Sequence, residues 1–107
     1  MTLQRRKAQT HSRQRKQKYV FRLYVAGLTP LSNKAIDNIT NLCEQYLPGR
    51  YDLKVVDLFK EPERASRDQI VAIPTLIKKE PVPPRRFVGD LSCMPKLLDG
   101  LGLRPTG

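Results

Sequence analysis

The stretch YVFRLYVAGLTP, residues 19–30, decides the fold of this chain. Residues 19 to 26 are apolar on both faces apart from Arg22, the pattern of a central strand covered on two sides. The run stops at Gly27. Thr29 then offers a side-chain oxygen to the free N–H groups of a helix, and Pro30 suits the first helical position, where its missing N–H would have no partner. Many small α/β proteins carry a reactive pair of cysteines at such a strand-to-helix turn. Here the turn holds Leu28, Thr29, Pro30 and Leu31, with no sulfur among them.

Beyond the turn, Leu31, Ala35, Ile36, Ile39, Leu42, Cys43, Tyr46 and Leu47 recur at spacings of three and four. They make one buried helix face, which Pro48-Gly49 ends. Cys43 belongs to that stripe and reads as small apolar filler rather than a nucleophile. YDLKVVDLF, residues 51–59, is a second strand. Strand, crossover helix and strand form a parallel, right-handed unit. Pro62 can open a short helix whose apolar end is Ile70 and Val71. IPTLIKK, residues 73–79, is a third strand entered through Pro74. A proline there predicts an edge strand or a strand's first residue, with Ile73-Pro74 a candidate cis bond. EPVPP is a stiff turn, and RRFVG, residues 85–89, pairs back antiparallel. Ser92 is expected to cap a last short helix carrying Met94, Leu97, Leu98 and Leu101, frayed by Gly100 and Gly102. The predicted fold is α/β in the order β-α-β-α-β-β-α, the thioredoxin plan.

Composition sets the outer bounds. The 107 residues suffice for one domain. A chain near this size buries about 65% of the surface it exposes when unfolded, so it needs neither metal nor disulfide to fold. No apolar run reaches the ~20 residues of a membrane span, and the basic start lacks the apolar core of a secretory signal. The expected location is cytoplasmic, with Cys43 and Cys93 reduced. The net charge is +10, but Arg5, Arg6, Lys7, Arg13, Arg15, Lys16 and Lys18 supply seven of the 20 basic residues. Residues 1–18 hold no acid, and the remainder carries 13 basic against 10 acidic residues, an ordinary surface. The expected organisation is a basic disordered arm over 1–18, a folded domain over 19–103 and a short tail over 104–107. The arm would attract polyanions through counterion release without reading sequence. His11 lies in it without ligand partners. No metal-ligand cluster, phosphate-cradling glycine loop or Ser/His/Asp set is visible, so no cofactor, metal or catalytic residue is expected.

YVFRLYVAGLTPLS, YDLKVVDLFKEPE, IVAIPTLIKKEPVPPRRFVGDLS and LLDGLGL closely resemble the KaiB family of cyanobacterial circadian clock proteins over about residues 19–103. The likeness extends to the sensory domain of SasA, a KaiC-interacting kinase. The resemblance implies a non-enzymatic regulator that binds the ATPase ring of KaiC and, in that complex, sequesters KaiA. It also implies a metamorphic second half, here about residues 65–103. That half adopts either a thioredoxin-like arrangement that binds KaiC, as a monomer, or an alternative ground-state arrangement that packs into tetramers. Gly89 and Asp90 sit at family positions that influence this balance. Family members usually end in an acidic tail and start with a shorter arm, so GLRPTG and the basic arm suggest a divergent member. The thioredoxin-like state is the expected resting fold.

Thiol–disulfide exchange needs a thiolate at the positive end of the first helix. With Thr29, Pro30 and Ser32 there, and no CxxC in the chain, the fold's usable surface is a docking face. Arg22 and Lys54 are expected on central strands, either snorkelling to water or, by the resemblance, contacting clock partners. Lys60, Arg85 and Arg86 are read either as ordinary solvated charges or as further contacts. Pro74 is structural, fixing the approach to the third strand. The partners implied are a KaiC-like ATPase, KaiA or a SasA-like kinase. The alternative is a polyanion-binding or stress-related adaptor acting through residues 1–18, and a third reading is an orphan module in a host without a clock.

Overall fold

The computed structural model describes residues 18–103. The arm before Lys18, with His11, and the tail over 104–107 lie outside the described residues. Strand β1 (Tyr19–Val25) leads to helix α1 (Pro30–Tyr46), then β2 (Tyr51–Asp57), the short helix α2 (Glu63–Arg67), β3 (Thr75–Glu80), β4 (Arg85–Val88) and helix α3 (Met94–Leu101). The four strands form one sheet in the order β2-β1-β3-β4. β1 and β2 run parallel, and β3 is antiparallel to both β1 and β4.

Side-chain alternation divides the sheet into two unequal faces. Tyr19, Phe21, Leu23 and Val25 enter the main core with Ala35, Ile39, Leu42, Cys43 and Leu47 of α1 and Leu97, Leu98 and Leu101 of α3. Phe21, Leu23 and Leu42 are wholly buried, each worth about 1.5–3 kcal/mol of transfer free energy. The other face has a smaller cluster of Tyr24, Val56, Leu58 and Ile77, against which Ala65 and Ile70 pack. One turn of α2 covers that cluster and leaves the rest of the face open.

Local chemistry explains several element ends. Thr29 caps α1, its Oγ1 accepting from the Ser32 N–H at 3.1 Å, and Pro30 occupies the first turn as expected. β2 stops at Asp57 because its Oδ1 accepts from the N–H groups of Gly27 (3.0 Å) and Phe59 (2.9 Å), which turns the chain. β3 starts one residue after Pro74, whose peptide bond to Ile73 is cis.

Several expectations are corrected. β2 is an edge strand, so Lys54 does not stand on a central one. β3 is interior, so of the two alternatives for Pro74 the edge strand falls, and the proline stands immediately before the strand's first residue, Thr75. Leu31 is exposed, and Ser32 takes the buried place because its N–H and hydroxyl are both satisfied by Thr29. Ile70 packs as expected, but Val71 is 97% exposed. Ser92 does not cap α3; Cys93 holds that position without a side-chain bond. Gly100 lies within α3 rather than fraying it, and it packs close to Phe87: a Cβ there would fall 2.5 Å from the ring. Gly102, at φ 74°, closes the helix in the left-handed conformation.

Candidate functional site

The strand-to-helix turn is built rigidly but carries no thiol. Gly27 adopts φ 77°, its N–H is tied to Asp57, and the Phe59 ring packs where a Cβ on Gly27 would lie only 3.1 Å away. The two backbone N–H groups on Asp57 hold its carboxyl below the ordinary range. Cys43 is buried within α1, and burial, then the Glu44 charge, pushes its thiol up to about 12. Cys93 is exposed at the start of α3, and both cysteines are free. A buried neutral thiol and a distant exposed one cannot form the vicinal pair that exchange needs. Among the described residues, no group of three or more His, Cys, Asp or Glu could hold a metal ion.

The strand register sorts the five cations named from the sequence. Lys54 pairs with Arg22, Arg22 with Ile77, and Ile77 with Arg86. Three of the five therefore stand in one row across all four strands, on the open face. Arg22 is half-buried, donates to the Phe21 carbonyl at 2.8 Å and lies 4.0 Å from Asp52, so its head is held at the sheet surface. Lys54 is exposed. Arg86 donates to the backbone carbonyls of Asp68 (2.7 Å) and Gln69 (2.9 Å), which fastens the end of α2 to β4. Lys60 is exposed beyond the end of β2. Arg85 points the other way: it pairs with Lys78 in the row of Phe21, and its guanidinium stands 6.0 Å from the Phe87 ring centroid. The adjacent arginines thus serve opposite faces.

Pro74, given a structural role, and Gly89 and Asp90, tied by the resemblance to a conformational balance, are brought together. Pro74 is buried and its carbonyl accepts from Gly89 N–H at 2.9 Å, while Gly89 takes φ 112°. The Asp90 carboxylate accepts from Ser92 N–H at 3.1 Å and stands 3.9 Å from Lys34 Nζ, and its carbonyl accepts from Asn38 Nδ2 at 2.7 Å. The Ser92 side-chain and backbone bonds depress the Asp90 carboxyl.

Sequence reasoning missed a second network. The wholly buried Tyr24 donates to Asp68 Oδ2 at 2.6 Å, and Arg64 Nε reaches the same oxygen at 3.4 Å. The Tyr24 bond, with Arg64 and Lys79 adding to it, lowers the Asp68 carboxyl. Lys78 was also missed: it is 5% exposed on the core face, and burial, then Arg85, lowers its ammonium. Period-two alternation in LIKKE, with Leu76 and Lys78 on one side, carried that signal. Among the described residues, no helix is long and apolar enough to cross a membrane.

Comparison with known proteins gives two findings. The KaiB domain family model matches residues 22–103. The circadian clock oscillator protein KaiB of Cyanothece sp. is 49% identical over 88 residues, 82% of this chain and 84% of that protein. The KaiB of Synechococcus elongatus is 48% identical over 85 residues, 79% and 83% of the two chains. Among solved structures, the N-terminal domain of Synechococcus elongatus SasA superposes with a TM-score of 0.66 at 19% identity, covering 85% of this chain and 90% of that one. The thioredoxin Deadhead of Drosophila melanogaster follows at 0.63 and 16% identity, covering 89% and 90%. At such identities the structures speak to the fold, which is thioredoxin-like.

Proposed function

The chain belongs to the KaiB family, and from that premise we propose that it is a non-enzymatic regulator of a circadian clock or clock-related pathway that binds a KaiC-type ATPase. The observation that carries this reading is the family match over residues 22–103, together with a thioredoxin-like fold whose strand-to-helix turn offers no thiol. Its site of action is the cytoplasm, and KaiA or a SasA-like kinase are the further partners of this reading.

The contact surface we assign is the open sheet face, where Lys54, Arg22 and Arg86 share one cross-strand row, with Lys60 at the strand ends. Cations so placed speed encounter with an acidic surface and lose that advantage as salt rises. Arg85, on the other face, serves a separate contact. Pro74 fixes the approach to β3, and Gly89 and Asp90, after β4, are the positions through which the balance with a second packing would be tuned.

A second reading rests on one specific observation: seven of the 20 basic residues fall in a stretch of 18 that holds no acid. By this reading the arm is a non-specific polyanion contact of an adaptor. Immobilised full-length chain and chain lacking residues 1–18 are each exposed to host lysate, captured proteins are identified by mass spectrometry, and captured nucleic acid is measured by a fluorescent stain. The clock reading expects a KaiC-like ATPase on both. Its absence from both, with nucleic acid on the full-length chain alone, would shift the function to the adaptor.

A further inference from the structure

A groove of about 370 Å³ opens between the C-terminal end of α2 and the strands β3 and β4. Arg67, Lys79 and Arg86 line it, with Ile77 and Pro84 as apolar walls and Asp68 as the acid among them. Asp68 is already engaged by Tyr24 and Arg64. Arg86 spends its Nη groups on the carbonyls of Asp68 and Gln69, which fixes its position without neutralising it. Among the described residues, Arg67 and Lys79 form no ion pair, and both are exposed. Three cations therefore converge on a concave site with one spoken-for carboxylate. The groove adjoins the Lys54–Arg22–Ile77–Arg86 row, so the positive surface continues across the sheet.

We propose that this groove binds the carboxylates of an acidic segment of a protein partner, with Arg67 and Lys79 as ligands and Arg86 as the fixed charge behind them. The choice of a protein partner rests on the docking function proposed above. The surface itself favours side-chain carboxylates over nucleic acid. Among the described residues no aromatic ring lines the groove, so bases would find no stacking platform. Acids also interrupt the cationic surface: Asp52 beside Arg22, Glu61 beside Arg64, and Asp68 within the groove. A nucleic-acid backbone, with its closely spaced charges, would meet those acids. A nucleic acid carries a charge at every nucleotide, whereas an acidic protein segment can set uncharged residues against those acids.

The test is an NMR titration of the full-length chain with hexaglutamate at low salt, read on the backbone amides of Arg67, Gln69, Lys79 and Arg86. These report the groove separately from the basic arm. Saturable shifts at these amides are expected. The double variant Arg67→Gln/Lys79→Gln, checked for an unchanged spectrum elsewhere, should bind about tenfold more weakly, or ~1.4 kcal/mol, and Lys79→Arg should retain binding. Shifts confined to residues outside 67–86, or equal affinity in the double variant, would overturn the proposal. So would a short single-stranded oligonucleotide that fills the groove more tightly than the peptide. Capture of a KaiC-like ATPase is scored separately. Groove binding without capture leaves the site standing and removes the docking function, and capture unaffected by the double variant does the reverse.

Discussion

Replacing Gly100 by alanine sets two principles against each other. In a helix interior, glycine to alanine ordinarily stabilises by about 0.8–1.0 kcal/mol through backbone entropy. Gly100 lies within α3, so local propensity alone favours the change. The packing opposes it. A Cβ would stand 2.5 Å from Phe87 Cε2, 2.8 Å from Cζ and 3.6 Å from Arg85 Nη2, well inside ordinary carbon contact of about 3.5–4.0 Å. Phe87 packs against the main core, with Arg85 over its ring, so the ring moves only by disturbing both. Overpacking of this kind costs about 1–3 kcal/mol. The net effect of Gly100→Ala is then a loss of about 1 kcal/mol, or a melting temperature lower by about 4–8 °C. Urea unfolding followed by circular dichroism measures it. The same substitution in a Phe87→Ala background, where the clash is gone, should become stabilising. A Gly100→Ala protein with a raised midpoint would show that α3 does not press on β4 as described.

Other expectations follow from the buried polar groups and the two thiols. Tyr24→Phe removes a 2.6 Å bond to a charged acceptor and should cost about 1.5–3 kcal/mol in the same unfolding assay; a change within error would mean that α2 is not fastened through Asp68. The Asp57, Asp68 and Asp90 carboxyls are all depressed in the folded state. Each therefore contributes stability that is fully present above its unfolded value of about 3.9 and is lost as pH falls through its lower folded value. Stability between pH 7 and 5 should be nearly flat with respect to these groups and fall below about pH 4, and Tyr24→Phe should fall less steeply there. A native chain should expose one rapidly reacting thiol, Cys93, and a second only after denaturation, because Cys43 is buried with its thiol pushed up to about 12. Two fast thiols in the native chain, or turnover in an insulin-reduction assay, would contradict the account of the turn.

Much of the fold was legible because it rests on local patterns. The apolar run before Gly27, the Thr29-Pro30 cap and the 3.6-residue stripe of α1 each follow from near-neighbour sterics and hydrogen bonding. The strand order did not follow from such patterns. Which strand is the edge depends on pairing between distant segments, so Lys54 was misplaced while Arg22 was not. Gly100 was misread for the same reason, since its neighbour Phe87 comes from another element. The site was only half legible. The cations were visible as residues, but their division between two faces appears only once β1, β3 and β4 are in register, and Arg85 and Arg86, adjacent in sequence, then separate completely. Arg67 and Lys79 drew no notice because an isolated charge in a polar stretch has no signature until a groove gathers it. The Tyr24–Asp68 bond joins residues 44 positions apart, and no spacing rule reaches that far.

The most direct test of the central claim is a titration of a purified KaiC-type ATPase from the host with the full-length chain and with the chain lacking residues 1–18, followed by size-exclusion chromatography with light scattering. A docking platform built on the domain predicts that both form the complex, that added salt weakens it, and that neutralising Lys54, Arg22 and Arg86 together abolishes it. No complex with either chain, or a complex that vanishes with the arm, would contradict it.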